Sequence, residues 1–89
     1  MIAGTVFRDP GFAQPGAAVW ITKKDDPKGK KLQTAMSDNR GEFAFHMPPG
    51  QATYQLHATL KGYRPAEEDV MIEGEEQVNA TLLLVQESK

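Results

Sequence analysis

The stretch that decides the fold is SDNRGEFAFHMPPG, residues 37–50, a short alternating run between two strong turn signals. Asp38 can accept a backbone N–H from two residues further on, and Gly41 can adopt the positive φ that closes a bulged hairpin loop. Pro48 and Pro49 fix φ and have no backbone N–H to donate to a neighbouring strand, so the chain has to leave its sheet at the Pro-Pro-Gly run. A corner of this kind joins two packed sheets, and the stretch therefore predicts a β-sandwich.

The same alternation recurs along the whole chain, with turn residues about every ten positions and no helical periodicity. Seven strands are predicted, namely Ile2–Phe7, Ala17–Thr22, Leu32–Met36, Glu42–His46, Thr53–Leu60, Glu68–Ile72 and Gln77–Val85. We therefore expect an all-β fold, a seven-stranded antiparallel Greek-key sandwich of immunoglobulin-like architecture.

Within each strand the apolar side chains fall in phase, so one face of every strand is expected to be buried. The predicted core consists of Ile2, Val6, Ala17, Val19, Ile21, Phe43, Phe45, Tyr54, Leu56, Ala58, Val70, Ile72, Val78, Ala80, Leu82 and Leu84. Burial of one large apolar side chain contributes about 1.5–3 kcal/mol. Truncation of Phe43, Phe45 or Leu82 to alanine is therefore expected to unfold a domain this small.

Length and composition narrow the class of protein. The 89 residues fit a single domain, residues 1–89, with one thin core. Hydrophobic residues make up 39% of the chain and charged residues 25%, as in ordinary folded proteins. The net charge of −2 provides no basic surface for nucleic acid, and no run approaches the ~18 apolar residues that span a bilayer. We predict neither a nucleic-acid partner nor membrane insertion.

The residues that carry chemistry do not form a catalytic or metal-binding pattern. Without cysteine there is no disulfide framework, thiolate metal site or cysteine nucleophile. Ser37 lies in a turn and Ser88 in the polar tail, and neither has a nucleophile-elbow pattern. His46 and His57 are both expected to face outward, and a hairpin would place His57 near Glu42 instead of His46. We predict no catalytic residue, no cofactor and no metal site.

The acidic clusters at residues 25–26, 67–69 and 73–76 match neither an EF-hand nor a repeat-type calcium loop. We interpret them as charged loops and as protection of an edge strand. A calcium site between the loops at one end of the sandwich is the open alternative.

One predicted outward surface contains large aromatic residues that the packing of the core does not require. Because Val19 and Ile21 point inward, Trp20 is expected to point out of the sandwich, and Phe7 is outward by phase on the first strand. If these strands are neighbours, the two aromatic residues form a patch that Leu83 extends. Exposed apolar patches mark interaction surfaces. Trp20, Phe7 and Leu83 are therefore the candidate interaction patch, and the alternative is that a loop or a shift in phase covers Trp20.

An ordered set of short motifs resembles a known family. In chain order these motifs are Gly4-Thr5-Val6, Gly16-Ala17-Ala18-Val19, residues 37–45, Pro48-Pro49-Gly50, Tyr54-Gln55-Leu56-His57-Ala58 and Gly62-Tyr63. Each motif is weak by itself, but the set spans nearly the whole chain and is similar to the carboxypeptidase regulatory-like domain. The resemblance implies a transthyretin-like, or prealbumin-like, seven-stranded sandwich related to the Cna-B modules of surface adhesins.

This resemblance implies a non-catalytic accessory module of a secreted or cell-surface bacterial protein. Its partner would be a neighbouring domain or another surface protein, and its location would be extracytoplasmic, with the signal peptide outside this chain. Related adhesin modules carry an internal Lys–Asn cross-link. That cross-link is not expected here, because the first strand has no lysine and Asn79 alternates outward on the last strand.

Two other functions remain open from the sequence. A carbohydrate-binding module would stack sugars on exposed aromatics, using Trp20 with Tyr63 or Tyr54. A hydrolase of the transthyretin-related type would need a histidine-rich channel, and the chain lacks the matching histidine and terminal serine motifs. Fluorescence of the single tryptophan during a polysaccharide titration would separate the sugar-binding hypothesis from the protein-binding one.

Overall fold

The structure is a computed structural model that describes residues 1–8, 11–26, 28–48, 50–74 and 77–86. These residues form strands and turns and no helix, which confirms the all-β prediction. The strands are β1 (Ile2–Arg8), β2 (Phe12–Ala13), β3 (Ala18–Lys23), β4 (Lys31–Met36), β5 (Glu42–Phe45), β6 (Ala52–Thr59), β7 (Tyr63–Arg64), β8 (Ala66–Ile72) and β9 (Val78–Gln86). Seven of them match the predicted strands, and β2 and β7 are additional pairs of residues too short for an alternation pattern to reveal.

The strands form the two sheets of a sandwich. The four-stranded sheet has the order β4-β3-β6-β8. In the five-stranded sheet β1 is central: β9 lies along one edge of it, while β5 and β2 share the other edge, and β7 pairs with the end of β9. The sandwich therefore has β4 and β5 along one side, and β8 and β9 along the other.

One strand pair differs from the fully antiparallel prediction. The first and last strands, β1 and β9, run parallel, in a register from Ile2 opposite Val78 to Arg8 opposite Leu84. All other strand pairs in the described residues are antiparallel. Alternation within a strand sets which side chains are buried but carries no information about direction, so the sequence pattern could not reveal this pair.

The turn before β5 has the predicted chemistry but connects different strands than expected. The Oδ1 atom of Asp38 accepts the backbone N–H groups of Arg40 at 2.8 Å and Glu42 at 2.9 Å. Gly41 has a φ of 76°, and an added Cβ there would lie 2.6 Å from the carbonyl oxygen of Val6. The turn does not close a hairpin, because β4 belongs to the four-stranded sheet and β5 to the five-stranded sheet.

The second turn signal of the opening stretch acts as predicted. Strand β5 ends at Phe45 and β6 begins at Ala52 in the other sheet, so the chain changes sheet between these two residues. Pro49 itself lies outside the described residues. The two turns together carry the chain from one sheet to the other and back, which is the crossing that a sandwich requires.

The core lies between the two sheets and matches the predicted set. Buried side chains come from both sheets, and Phe45, Ile21, Leu56 and Leu82 are among the largest of them. Val78 and Ala80 are the two predicted core residues that are only half-buried, and both pack against the cluster from β9.

Candidate functional site

The structure separates the residues of the predicted interaction patch. Trp20 lies on β3 in the four-stranded sheet, whereas Phe7 and Leu83 lie on β1 and β9 in the five-stranded sheet. All three alternate with buried neighbours and so point away from the core. The assumption that the first two strands are neighbours was wrong, because the crossover places them in different sheets. The molecule therefore presents two separate outer faces.

The first face is a small apolar surface on the five-stranded sheet. Phe7 is directly opposite Leu83 on one side and Ala13 on the other. Leu83 is 49% exposed, and Val85, two residues further along β9, is 44% exposed. We call Phe7, Ala13, Leu83 and Val85 the Phe7 patch.

One arginine, Arg64, lies at the margin of the Phe7 patch, whereas Arg8 is opposite the buried Leu84 and alternates to the other face of the sheet. Arg8 follows Phe7 on β1, and its guanidinium carbon lies 5.6 Å from the ring centroid of the exposed Phe12. Arg64 on β7 is opposite Val85. An apolar centre with a charged margin is the usual composition of a protein-binding surface.

The second face is centred on Trp20, and its neighbours occupy the indole ring. The ring stacks against His57 on β6, with centroids 5.2 Å apart and planes 5° from parallel. The ammonium group of Lys31 lies 4.4 Å from the indole centroid, a cation–π contact. The side chain is half-buried although it points outward. Neighbouring side chains, and neither a loop nor a shift in phase, therefore cover part of the indole ring.

The imidazole of His57 is hydrogen-bonded at both of its nitrogens. Its Nδ1 lies 3.1 Å from Oε2 of Glu67 on β8, and its Nε2 lies 3.0 Å from Oγ1 of Thr22 on β3. A carboxylate only accepts, so the Nδ1–H donates to Glu67, and in neutral His57 the hydroxyl of Thr22 donates to Nε2. Because His57 is only 16% exposed, these contacts fix the ring against Trp20. We call these four residues, Trp20, His57, Glu67 and Thr22, together with Lys31 the Trp20 cluster.

The structure does not assemble the aromatic platform of the sugar-binding hypothesis. Tyr54 is buried in the core at 6% exposure. Tyr63 lies on β7, opposite Gln86 in the five-stranded sheet, whereas Trp20 is on the other sheet. Alternation within the strand already predicted Tyr54 to be in the core. The pairing of β7 with β9 places Tyr63 on the other sheet from Trp20, so the two rings cannot form one sugar-stacking surface.

The other residues with reactive side chains have structural contacts. The hydroxyl of Ser37 donates to the carbonyl of Gln14 at 2.7 Å and accepts the N–H of Ala17 at 2.9 Å, so it holds two loops together. His46 is exposed at the end of β5, in the other sheet from His57. Within the described ranges no three His, Cys, Asp or Glu side chains are close enough to hold a metal ion.

An open groove of about 670 Å³ lies at one end of the four-stranded sheet. Its lining includes Lys24, which follows β3, and Asp69 on β8, and these two form an ion pair to which Gln55 adds a hydrogen bond, donating to Asp69 at 3.4 Å. Lys23, Asp25 and Met71 also line this groove.

The sequence and the fold of the chain are similar to those of known proteins. The family model of the carboxypeptidase regulatory-like domain matches residues 1–85. The chain belongs to this family. No curated protein matches the sequence of this carboxypeptidase regulatory-like domain.

Solved structures with the same fold have low sequence identity. The 5-hydroxyisourate hydrolase of Klebsiella pneumoniae has a TM-score of 0.70 and 15% identity, over 98% of this chain and 91% of the hydrolase. Transthyretin from Sparus aurata has a TM-score of 0.63 and 15% identity, over 97% and 87% of the two chains. The shaft pilin SpaA from Lactobacillus rhamnosus GG, a D295N mutant, has a TM-score of 0.63 and 14% identity, over 98% of this chain and 47% of the pilin.

These similarities confirm the transthyretin-like sandwich that the motifs implied. This carboxypeptidase regulatory-like domain spans about half the length of the shaft pilin. In addition, no helix among the described residues is long and apolar enough to cross a membrane.

The contacts of Lys31, Thr22 and Glu67 around Trp20 were not predicted from the sequence. Each comes from a different strand, and they meet because His57 is opposite both Trp20 and Glu67 in the sheet register. The sequence shows polar residues at outward positions of these strands, which is a signal for such contacts. Only the strand order β4-β3-β6-β8 places those residues side by side.

Proposed function

We propose that this carboxypeptidase regulatory-like domain is a non-catalytic accessory module that docks, through the Phe7 patch, against a neighbouring domain of the same polypeptide. The observation that carries the proposal is the difference between the two outer faces. The ring of Trp20 is stacked on His57 and contacted by Lys31, whereas Leu83 and Val85 beside the half-buried Phe7 are 49% and 44% exposed. Burial of such a patch releases water from apolar surface and stabilises a contact.

The choice of a neighbouring domain as the occupant rests on the length of the structural relatives. The same fold makes up about half of the shaft pilin, so it is used there as one unit within a longer chain. A tethered neighbour has a high effective concentration, so a patch of this small size is enough to keep it docked. Residues 1–89 would then be one such domain.

The proposal places the parent protein outside the cytoplasm, in the periplasm, at the cell surface or secreted. The family membership and the similarity to a shaft pilin support this location. Its partner is a protein, and Arg64 beside the patch favours a docking surface with acidic residues at its margin.

A role as a hydrolase is not favoured by the positions of the groups that hydrolysis would need. Both nitrogens of His57 are occupied, by Glu67 and Thr22, and the hydroxyl of Ser37 is committed to two loops. Although one structural relative is 5-hydroxyisourate hydrolase, we expect no turnover of 5-hydroxyisourate above the spontaneous rate. Turnover that depends on His57 would contradict the non-catalytic assignment.

Photo-crosslinking in the full-length parent protein tests the docking proposal. A benzoylphenylalanine at position 83 is expected to cross-link to residues outside 1–89 of the same polypeptide, as mapped by mass spectrometry. The matched control carries the same group at position 36, because Met36 is 68% exposed on the other sheet. Equal cross-linking from both positions, or cross-links from position 83 only to separate proteins, would overturn the proposal.

A further inference from the structure

The last strand has a long free edge. On one side, residues 78–84 of β9 pair with β1. On the other side only Val85 and Gln86 have a partner, the short strand β7. Within the part of the chain that the structure describes, no strand lies along the outer edge of residues 78–84.

The backbone groups on that edge can be assigned from the strand geometry. The N–H of Val78 donates to the carbonyl of Met1, at the β1 side. Successive residues of a strand direct their N–H and C=O groups to opposite sides, so Asn79, Thr81 and Leu83 direct theirs to the free edge. Val85 continues the same phase, and it is the residue that meets Arg64 of β7. Asn79, Thr81 and Leu83 thus direct their backbone groups to the same edge at which Val85 pairs with β7.

The neighbouring edge strand β8 is protected against strand addition, and β9 is not. On β8, Glu68 is opposite the buried Leu56 and so occupies an inward-phase position, where a charge discourages pairing with a further strand. Glu67 and Asp69 add charges on its outer face. In contrast, β9 contains no charged residue over its whole length from Val78 to Gln86. The acidic residues of β8 thus carry out the edge protection expected from the sequence, but on one strand only.

We propose that the free edge of β9 binds an extended, lysine- or arginine-containing segment of a partner protein as an added strand. The inference rests on the proposed role as a protein-interaction module and adds a second surface to it. In strand addition, main-chain hydrogen bonds supply affinity and alternate side chains supply specificity. Asn79, Thr81 and Leu83 would each exchange backbone hydrogen bonds with the incoming strand.

The charge of this side of the sandwich selects a basic occupant. Between Pro65 and Gln86 the sequence has six acidic residues and no basic one. Strand β8 packs beside β9, so an added strand lies next to the acidic edge and near the inward-phase Glu68. A second copy of this chain is a poor occupant, because pairing of β9 with β9 would bring the two acidic β8 strands together.

The first experiment uses a synthetic peptide of alternating valine and lysine, equal in length to residues 78–84. The peptide is expected to shift the backbone amide resonances of Asn79, Thr81 and Leu83 and to slow their hydrogen exchange. Two control peptides have glutamate in place of lysine, or N-methylated amides at alternate positions, which removes the donors of one strand edge. Binding of the lysine peptide alone supports the proposal.

Two protein variants separate strand addition from simple charge attraction. Thr81→Pro removes one edge donor while the pairing with β1 uses the other side, and Thr81→Val is its matched control. The proline is expected to weaken binding about threefold to tenfold, the size of one lost hydrogen bond, and valine to leave it unchanged. Glu68→Lys is expected to reverse the preference between the lysine and glutamate peptides.

Several results would overturn the inference. One is that the lysine peptide and its N-methylated form bind equally; another is that only the amides of β8 shift. Gel filtration showing a dimer would assign the edge to a second copy instead, and would likewise overturn it. If the cross-link from position 83 fails while the peptide still binds, docking through the Phe7 patch is refuted and strand addition at β9 is not. The two proposals therefore fail independently.

Discussion

The two outer faces of the sandwich each place one aromatic residue at an outward position, but their surroundings differ. Trp20 lies between an imidazole and an ammonium group from neighbouring strands, whereas the residues directly opposite Phe7 are the aliphatic Ala13 and Leu83. Both residues have the same phase within their own strands. Cross-strand neighbours, and not the position within one strand, therefore decide whether an outward aromatic ring is contacted by side chains of its own sheet or stays available to a partner.

The largest difference in the free energy of unfolding is expected between alanine variants of two adjacent leucines of β9. Leu82 is 1% exposed in the core, and Leu83 is 49% exposed in the Phe7 patch. We expect Leu82→Ala to lower the free energy of unfolding by about 2–5 kcal/mol and Leu83→Ala by less than about 1 kcal/mol. Urea denaturation followed by circular dichroism measures both. Equal losses would show that the Phe7 patch is part of the core.

The next effect compares the aromatic residues of the two faces directly. Trp20→Ala removes a ring stack and a cation–π contact, and is expected to destabilise the domain by about 1–3 kcal/mol. Phe7→Ala should cost clearly less, because among the described residues the ring of Phe7 has neither a ring stack nor a cation–π contact. Chemical denaturation of both variants decides the comparison. A larger loss from Phe7→Ala would reverse the assignment of the satisfied and the open face.

A smaller effect tests the contact between Lys31 and the indole. Lys31→Ala is expected to lower stability by about 0.5–1 kcal/mol, the usual size of an exposed cation–π contact. Because Trp20 is the single tryptophan, its emission spectrum should change in this variant. Lys30→Ala is the matched control, since Lys30 has no ring contact in the structure. Identical spectra of the two variants would show that Lys31 does not hold the ring in solution.

The smallest effect concerns the turn that carries the chain from one sheet to the other. Hydrogen bonds from the backbone of Glu42, and then of Arg40, lower the pKa of Asp38 from its ordinary value of 3.8. A lowered pKa means that the ionised form stabilises the fold above pH 3.8 and that this stabilisation is lost as pH falls through the folded-state pKa. Asp38→Ala should therefore lower Tm at neutral pH, and the difference from wild type should shrink in more acidic buffers.

Asn39→Ala is the control for that measurement, because neither turn hydrogen bond of Asp38 involves its side chain. A difference in Tm between wild type and Asp38→Ala that stays constant through the acidic range would contradict the role of the ionised carboxylate.

The interior of the fold could be predicted from the sequence almost residue by residue. Alternation placed Tyr54 in the core and Trp20 outside it, because phase within a strand is a local property. The turn chemistry of Asp38 and Gly41 was equally local and was correct. Direction and neighbourhood of strands are not local, so the parallel pairing of β1 with β9 was missed.

The same distinction explains the outcome for the candidate site. Phe7 and Leu83 were grouped correctly, since they are opposite each other, but Trp20 was assigned to the wrong neighbours. His57 was expected to be a solvent-facing residue near Glu42, whereas its neighbours are Trp20 and Glu67. A hairpin was the assumption behind that expectation, and the corner after β5 excludes it by sending the next strand to the other sheet.

The parallel pair of β1 and β9 also has a mechanical consequence. Since the two strands run in the same direction, Met1 and Gln86 lie at opposite ends of their shared ladder. Tension applied through these two ends would pull β1 and β9 past each other, and their hydrogen bonds would resist together instead of opening one after another. We expect single-molecule stretching from these two ends to require clearly more force than stretching from Met1 and Met36, which lie in different sheets.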